Sequence, residues 1–185
     1  MRKEWNGMEQ WFNVQTLIWL FPIIFVLHDL EEIIMIEKWM GKNSNVIYDK
    51  LPRKIADKVI KQFSMSTAQF SVAVLVIFVF VSSSTYLASQ YINHGPFGNI
   101  YLFTVMISVF FLHVFTHVGQ SVFLRSITPG VITSVLIVFP YTIILFNSLF
   151  KHQVITLNTL YISIPFIFLI FPVLFFAHWF GKKAI

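Results

Sequence analysis

The chain has 185 residues, 57% of them hydrophobic and only 11% charged, with a mean hydropathy of +0.75. A soluble domain carries about a quarter charged residues, so this composition excludes an ordinary soluble fold. Cysteine is absent, which removes disulfides and thiolate metal sites. The net charge of +5 does not point to nucleic acid, because seven of the thirteen Lys and Arg lie between Lys38 and Lys61 and the others flank apolar runs.

Five apolar runs follow one another along the chain, at approximately 11–36, 68–92, 99–124, 130–150 and 155–180. Runs of about 18 or more residues are the mark of membrane-spanning helices. The expected fold is therefore all-α: a polytopic membrane bundle of five transmembrane helices, built as one unit over 1–185 with no separate soluble domain. The first run lacks a small-residue cleavage site and is expected to be retained rather than removed as a signal peptide. Ten of the thirteen basic residues fall in the first loop, the third loop and the C-terminus. Basic residues accumulate on the cytoplasmic side, so the N-terminus is expected outside and the C-terminus inside.

The first run carries an unusual load, His28-Asp29-Leu30-Glu31-Glu32. One acidic or basic residue at mid-bilayer costs roughly 2.5–3.5 kcal/mol on insertion scales, so such a cluster needs partners, a proton, a metal or water. His28, Glu31 and Glu32 stand at i, i+3 and i+4 and share a helical face, whereas Asp29 is turned about 100° from His28 and is set aside from the group. In the loop that follows, 38–63, Pro52 can open a helix with Ile55, Val59, Ile60 and Phe63 on one side. Its basic residues, within 38–61, suit an amphipathic helix on anionic inner-leaflet lipids, or a loop that only sets topology.

In the third run His113 and His117 stand at i and i+4, and Gln120 extends the stripe as an accessory residue. Measured from Lys38, His28 lies roughly 15 Å deep and Glu31 and Glu32 about 9–10 Å; measured from Arg125, His113 lies about 18 Å deep and His117 about 12 Å. The two stripes therefore reach similar depth in the inner half of the bilayer. His28, Glu31, Glu32, His113 and His117 form a candidate metal set whose nitrogen and oxygen donors suit zinc, iron or manganese. A two-iron carboxylate site usually draws on four Glu, so zinc is favoured over iron. Taken singly, the carboxylates also fit a helix end that meets Lys38, and the histidines fit hydrogen-bonded packing. His178 reads as an inner-interface residue that could be accessory. Residues 125–130 read as a tight turn between the third and fourth runs.

His28-Asp29-Leu30-Glu31-Glu32, with Thr67-Ala68-Gln69-Phe70, His117-Val118-Gly119-Gln120 and Pro129-Gly130-Val131-Ile132-Thr133, resembles the bacterial HXXEE-motif integral membrane proteins. That resemblance implies a multi-pass protein of the bacterial cell membrane and brings no activity with it. Glu31-Glu32 with His113 and His117 is also similar in part to intramembrane proteases of the CAAX-processing type. Those carry an arginine four residues after the second glutamate, where this chain has Ile36. The reading that ties most residues together is a membrane-embedded metal-dependent enzyme, hydrolytic, acting on a lipid or membrane-partitioned substrate. The histidines would bind zinc, one of Glu31 and Glu32 would complete the shell, and the other would activate water. An ion- or proton-coupled transporter, a non-catalytic membrane scaffold and an intramembrane glutamyl-type protease stay open as alternatives, so enzyme status is unsettled at this level.

Overall fold

The computed structural model describes residues 13–185. Trp11 and Phe12, which open the first apolar run, lie outside the described residues, as do Arg2 and Lys3 of the charge count. The described residues form helices joined by short turns, with no strand.

Helix α1 runs Val14–Lys50. Asn13 caps it, its side chain accepting from the Thr16 N–H at 2.7 Å. At 1.5 Å per residue this helix is about 55 Å long, well beyond a hydrocarbon core of about 30 Å. The apolar pattern puts a loop from Lys38 onward, but the helix continues there. It runs through Gly41, Asn43 and Asn45 until Pro52, whose ring forces Leu51 into extended backbone (φ −119°, ψ 146°) and ends α1. Helix α2, Arg53–Phe63, then folds back with Ala56 fully buried and its charged residues outward. The Tyr48 hydroxyl donates to Asp57 at 2.9 Å and ties the two helices together.

Helix α3, Thr67–Ile92, starts in a capping box in which Ser66 and Gln69 each accept from the other's backbone N–H. Thr67 also donates twice to Glu37, through N–H and hydroxyl, both at 2.7 Å. These bonds fasten α3 to α1 and hold the Glu37 carboxyl below the usual carboxylate range. Helix α4, Ile100–Leu124, is capped by Asn99 and ends where Arg125 turns left-handed (φ 51°). Helix α5, Val131–Lys151, contains a wide π turn over Ser134–Val138, just ahead of Pro140. Proline lacks the N–H that an α turn would use, and a wide turn absorbs the mismatch. Helix α6, Leu157–Ala184, tightens to a 3-10 stretch, Ile164–Leu169, around Pro165.

Four helices, α3 to α6, are long and apolar enough to cross a membrane. Among the described residues helix α1 is not one of them, and Asp29, Glu31 and Glu32 stand within its apolar stretch. The outward side chains are mostly apolar, with Ile34, Val122 and Leu136 each about 70% exposed at 72%, 73% and 69%. A contiguous apolar exterior of this kind marks a surface meant for lipid rather than water. Inside, Phe21 meets Phe103 edge-on at 5.6 Å and Phe110 at 5.5 Å, joining α1 to α4. Tyr141 of α5 donates to the Leu17 carbonyl at 2.8 Å.

Helix α6 approaches α3 at Gly181, where an added Cβ would stand 2.5 Å from the Gln69 carbonyl oxygen and 3.2 Å from Ala73. Small residues permit such backbone contact between membrane helices. Gly181→Val should separate the pair and lower stability by about 1–3 kcal/mol. Thermal unfolding in detergent checks this, with Gly119→Val as control because nothing lies within 4 Å of a Cβ there.

Candidate metal centre

Midway along α1 and in the C-terminal half of α4, four side chains converge. His28, Glu32, His113 and His117 each offer one ligand atom, and these atoms all lie within 4.8 Å of one another. Glu32 Oε1 stands 2.8 Å from His117 Nε2, 3.6 Å from His113 Nε2 and 3.8 Å from His28 Nε2. The two α4 imidazoles approach to 2.7 Å between their Nε2 atoms. Helical spacing explains each pair: 28 and 32, and 113 and 117, are i and i+4 neighbours on facing stripes. His28 and His117 are buried, while His113 is 43% exposed at its side chain and forms the open edge.

The hydrogen-bond network aims the rings. The Thr133 hydroxyl donates to Glu31 Oε2 at 2.6 Å, so its oxygen accepts from His28 Nδ1–H at 2.9 Å. A neutral His28 then presents its Nε2 lone pair to the cluster, and that atom is buried without a hydrogen-bond partner among the described residues. His113 is set the same way: Thr116 donates to the His113 carbonyl at 2.7 Å and its oxygen faces His113 Nδ1 at 3.3 Å. Metal-bound histidines typically have their other ring nitrogen tied in this manner. Donor atoms around a tetrahedral zinc lie about 3.3 Å apart; the three Glu32 separations and the His113–His117 separation, 2.7 to 3.8 Å, bracket that figure, and all six lie within 4.8 Å. The donor set and its orphaned nitrogen therefore fit a first-row divalent ion.

Glu31, expected beside Glu32, is not one of the four. Its carboxylate accepts from Thr133 N–H at 2.7 Å and from Ile132 N–H at 3.2 Å, besides the Thr133 hydroxyl. Both oxygens are thus taken up by the first turn of α5, a favourable place for a negative charge. Glu31 reaches the cluster only through Thr133 and His28. Gln120 is exposed on the cavity rim and His178 is buried in the cavity wall, both outside the four. Asp29, set aside by its turn from His28, is buried and shares the cavity face with Glu32 at i, i+3.

Two residues that spacing arguments did not assign complete the centre. Thr133 orients His28, and Gly130 presses its backbone against the site. A Cβ on Gly130 would lie 2.6 Å from His117 Cε1 and 2.8 Å from Glu32 Oε1, and its φ of +81° favours glycine in any case. The sequence signal was present in Pro129-Gly130 ahead of an apolar run, but it marks a turn, not what the turn touches. Phe110, 5.7 Å from the His28 ring and set edge-on, closes the deep side.

The fold and centre together define a helical, membrane-like protein with a His/Glu cluster able to hold a metal ion. The chain belongs to the family described as proteins of unknown function with an HXXEE motif, whose model matches residues 19–145. No curated protein and no solved structure matches it.

Gly130→Ala should displace Glu32 and His117, and Thr133→Val should release His28 while preserving side-chain shape. Loss of an outer partner of a metal-bound histidine typically costs about 10–100-fold in metal affinity. Zinc titration of the purified variants measures it; wild-type affinity in both would contradict the arrangement described.

Proposed function

We propose that this protein is a membrane-embedded, metal-dependent hydrolase acting on a lipid or another membrane-partitioned substrate. One observation carries the reading: three imidazoles and a carboxylate gathered within 4.8 Å inside an apolar bundle, at the side of a cavity of about 650 Å³. His28, His113 and His117 would hold the ion, zinc ahead of iron given nitrogen donors and no thiolate. Bound there, zinc would supply Lewis acidity toward a carbonyl or phosphoryl oxygen and would lower the pKa of a water toward neutrality.

The chain's own residues do the remaining work. Glu31 and Thr133 keep the His28 ring in one tautomer and one orientation. With Oε1 as the fourth donor, Glu32 has its second carboxylate oxygen left to move a proton, because both Glu31 oxygens are occupied. Phe110 keeps water from the deep side, which strengthens every electrostatic contact in the site. Purified wild type should hold zinc near one ion per chain, and His28→Ala and His113→Ala should lose it. Equal, near-zero metal in all three by mass spectrometry would overturn the reading.

The same reading takes α1 as a fifth span in the bacterial cell membrane, with the N-terminus outside and the C-terminus inside, following the excess of Lys and Arg. Helix α2 then lies on the inner leaflet, its basic face against anionic lipids. Because native cysteine is absent, single introduced thiols report sidedness cleanly. Ser126→Cys should react with an impermeant reagent only from the inside, and Phe97→Cys only from the outside; the reverse pattern would invert the topology.

A further inference from the structure

Helices α4 and α6 start side by side and separate halfway. The first part of α6, through its 3-10 stretch, packs against α4, and from Ile170 on the helix lies along α3 instead. Gly181 secures that departure by its close approach to Gln69 and Ala73 of α3. By helix rise, Ile170 and His113 each lie about 20 Å from the starts of their helices, so the gap opens at the level of the imidazole cluster. The cavity of about 650 Å³ beside the cluster comes to the surface there. Gln120 and Phe123 of α4 and Phe171 and Phe175 of α6 line it, and all four are exposed, the two α6 rings at 65% and 66%. His113, the open edge of the cluster, lines it too.

The two sides of this opening differ in chemistry. The α6 side offers hydrocarbon contact through Ile170, Phe171, Leu174 and Phe175, whereas the α4 side presents His113 and Gln120. Gln120 makes no hydrogen bond among the described residues. Its carboxamide both donates and accepts, and leaving it unpaired against an apolar surrounding is costly. It stands one turn from His117 and two from His113, so a group bonded to it is a neighbour of the cluster. Among the described residues no Lys or Arg lines the cavity, while Glu32 does. A phosphate or a free carboxylate would find no counter-charge there, but a neutral carbonyl finds the donor it needs.

We propose that a neutral acyl-ester lipid of the diacylglycerol type enters this cavity sideways from the membrane, through the gap between α4 and α6. One chain lies against Phe171 and Phe175, and the ester carbonyl accepts from the Gln120 carboxamide. This rests on the hydrolase reading for its meaning as a substrate site, and names the class of substrate and its route. The opening lets the second chain stay in the leaflet. Gln120 is then a positioning residue, which sets the ester beside the open edge of the cluster at His113.

Photolabelling of the full chain tests it, in nanodiscs of ether-linked phosphatidylcholine so that acyl carbonyls come only from the probe. The probes are diacylglycerol analogues with a diazirine in one chain. One is a ketone isostere with CH2 in place of the ester oxygen, which cannot be hydrolysed. The second is the ether, which lacks the carbonyl, and the third is the ketone with a phosphate on its head hydroxyl. The ketone should label Val109 and Leu174, half-buried in the cavity wall, about 3–10-fold more than the ether, the size of one neutral hydrogen bond. The phosphate form should label them less than the ketone, and exposed Val122 and Leu136 should be labelled equally by all three. Gln120→Leu should abolish the preference for ketone over ether while keeping wild-type zinc content. Leu174→Trp, which narrows the opening with Gln120 intact, should reduce Val109 labelling by every probe and provides a second test should Gln120→Leu fail to fold. No labelling of Val109 by the ketone, equal labelling by ketone and ether, or strongest labelling by the phosphate form overturns the proposal, as does an unchanged preference in Gln120→Leu. Ketone-selective labelling of a wild type that holds no zinc would sink the hydrolase reading and leave the lipid entry standing; a zinc-loaded wild type without it would do the reverse.

Discussion

A carboxylate held among three imidazoles inside an apolar helix bundle is the constraint around which this molecule is organised. In such a medium every polar group must find its partner within the chain, since no water stands ready to replace it. Glu32 meets that demand with His117 at 2.8 Å and with His113 and His28 just beyond hydrogen-bond reach. Those groups come from two helices far apart in sequence, so the cluster locks α1 against α4 in depth and rotation. Phe21 and Phe110 do the same job one and two turns deeper, by shape alone.

The start of α5 acts as the clamp on that cluster. Its first N–H groups and the Thr133 hydroxyl receive Glu31, while the Thr133 oxygen receives His28. Gly130 lets the incoming backbone approach to within contact of Glu32 and His117, which no side chain would permit. The wide turn over Ser134–Val138 follows at once and absorbs Pro140 without freeing the helix from its neighbours. Adjacent glutamates thus part company: one anchors a helix start, the other faces the imidazoles. That division gives a chemically symmetric pair two different tasks.

The cavity extends the same logic from the cluster into the bundle. Helix α1 is amphipathic in an unusual sense, with one stripe turned to α5, one to the cavity and one to the outside. Asp29 belongs to the cavity stripe, and its unbonded oxygen is the counterpart of the orphaned His28 nitrogen. Both are polar atoms whose partners the described residues do not supply.

Local features of the chain made the helices legible. Apolar length and Pro52 act within a few residues of themselves and need no tertiary context. The HXXEE pentapeptide likewise identifies the family without a fold. Less legible was the run of α1 on to Lys50, because a polar helix braced by α2 looks like a loop when only hydropathy is weighed. The separation of Glu31 from Glu32 could not be read at all. Two neighbours on a helix differ by about 100° in direction, and only the packing of α5 against α1 decides which of them meets backbone donors and which meets imidazoles. The contacts of Thr133 and Gly130 were decided at that same level, since each depends on a surface brought up from another part of the chain. Sequence determined what each segment is; tertiary structure decided what each polar atom touches, because hydrogen bonding and close contact act across space and not along the backbone.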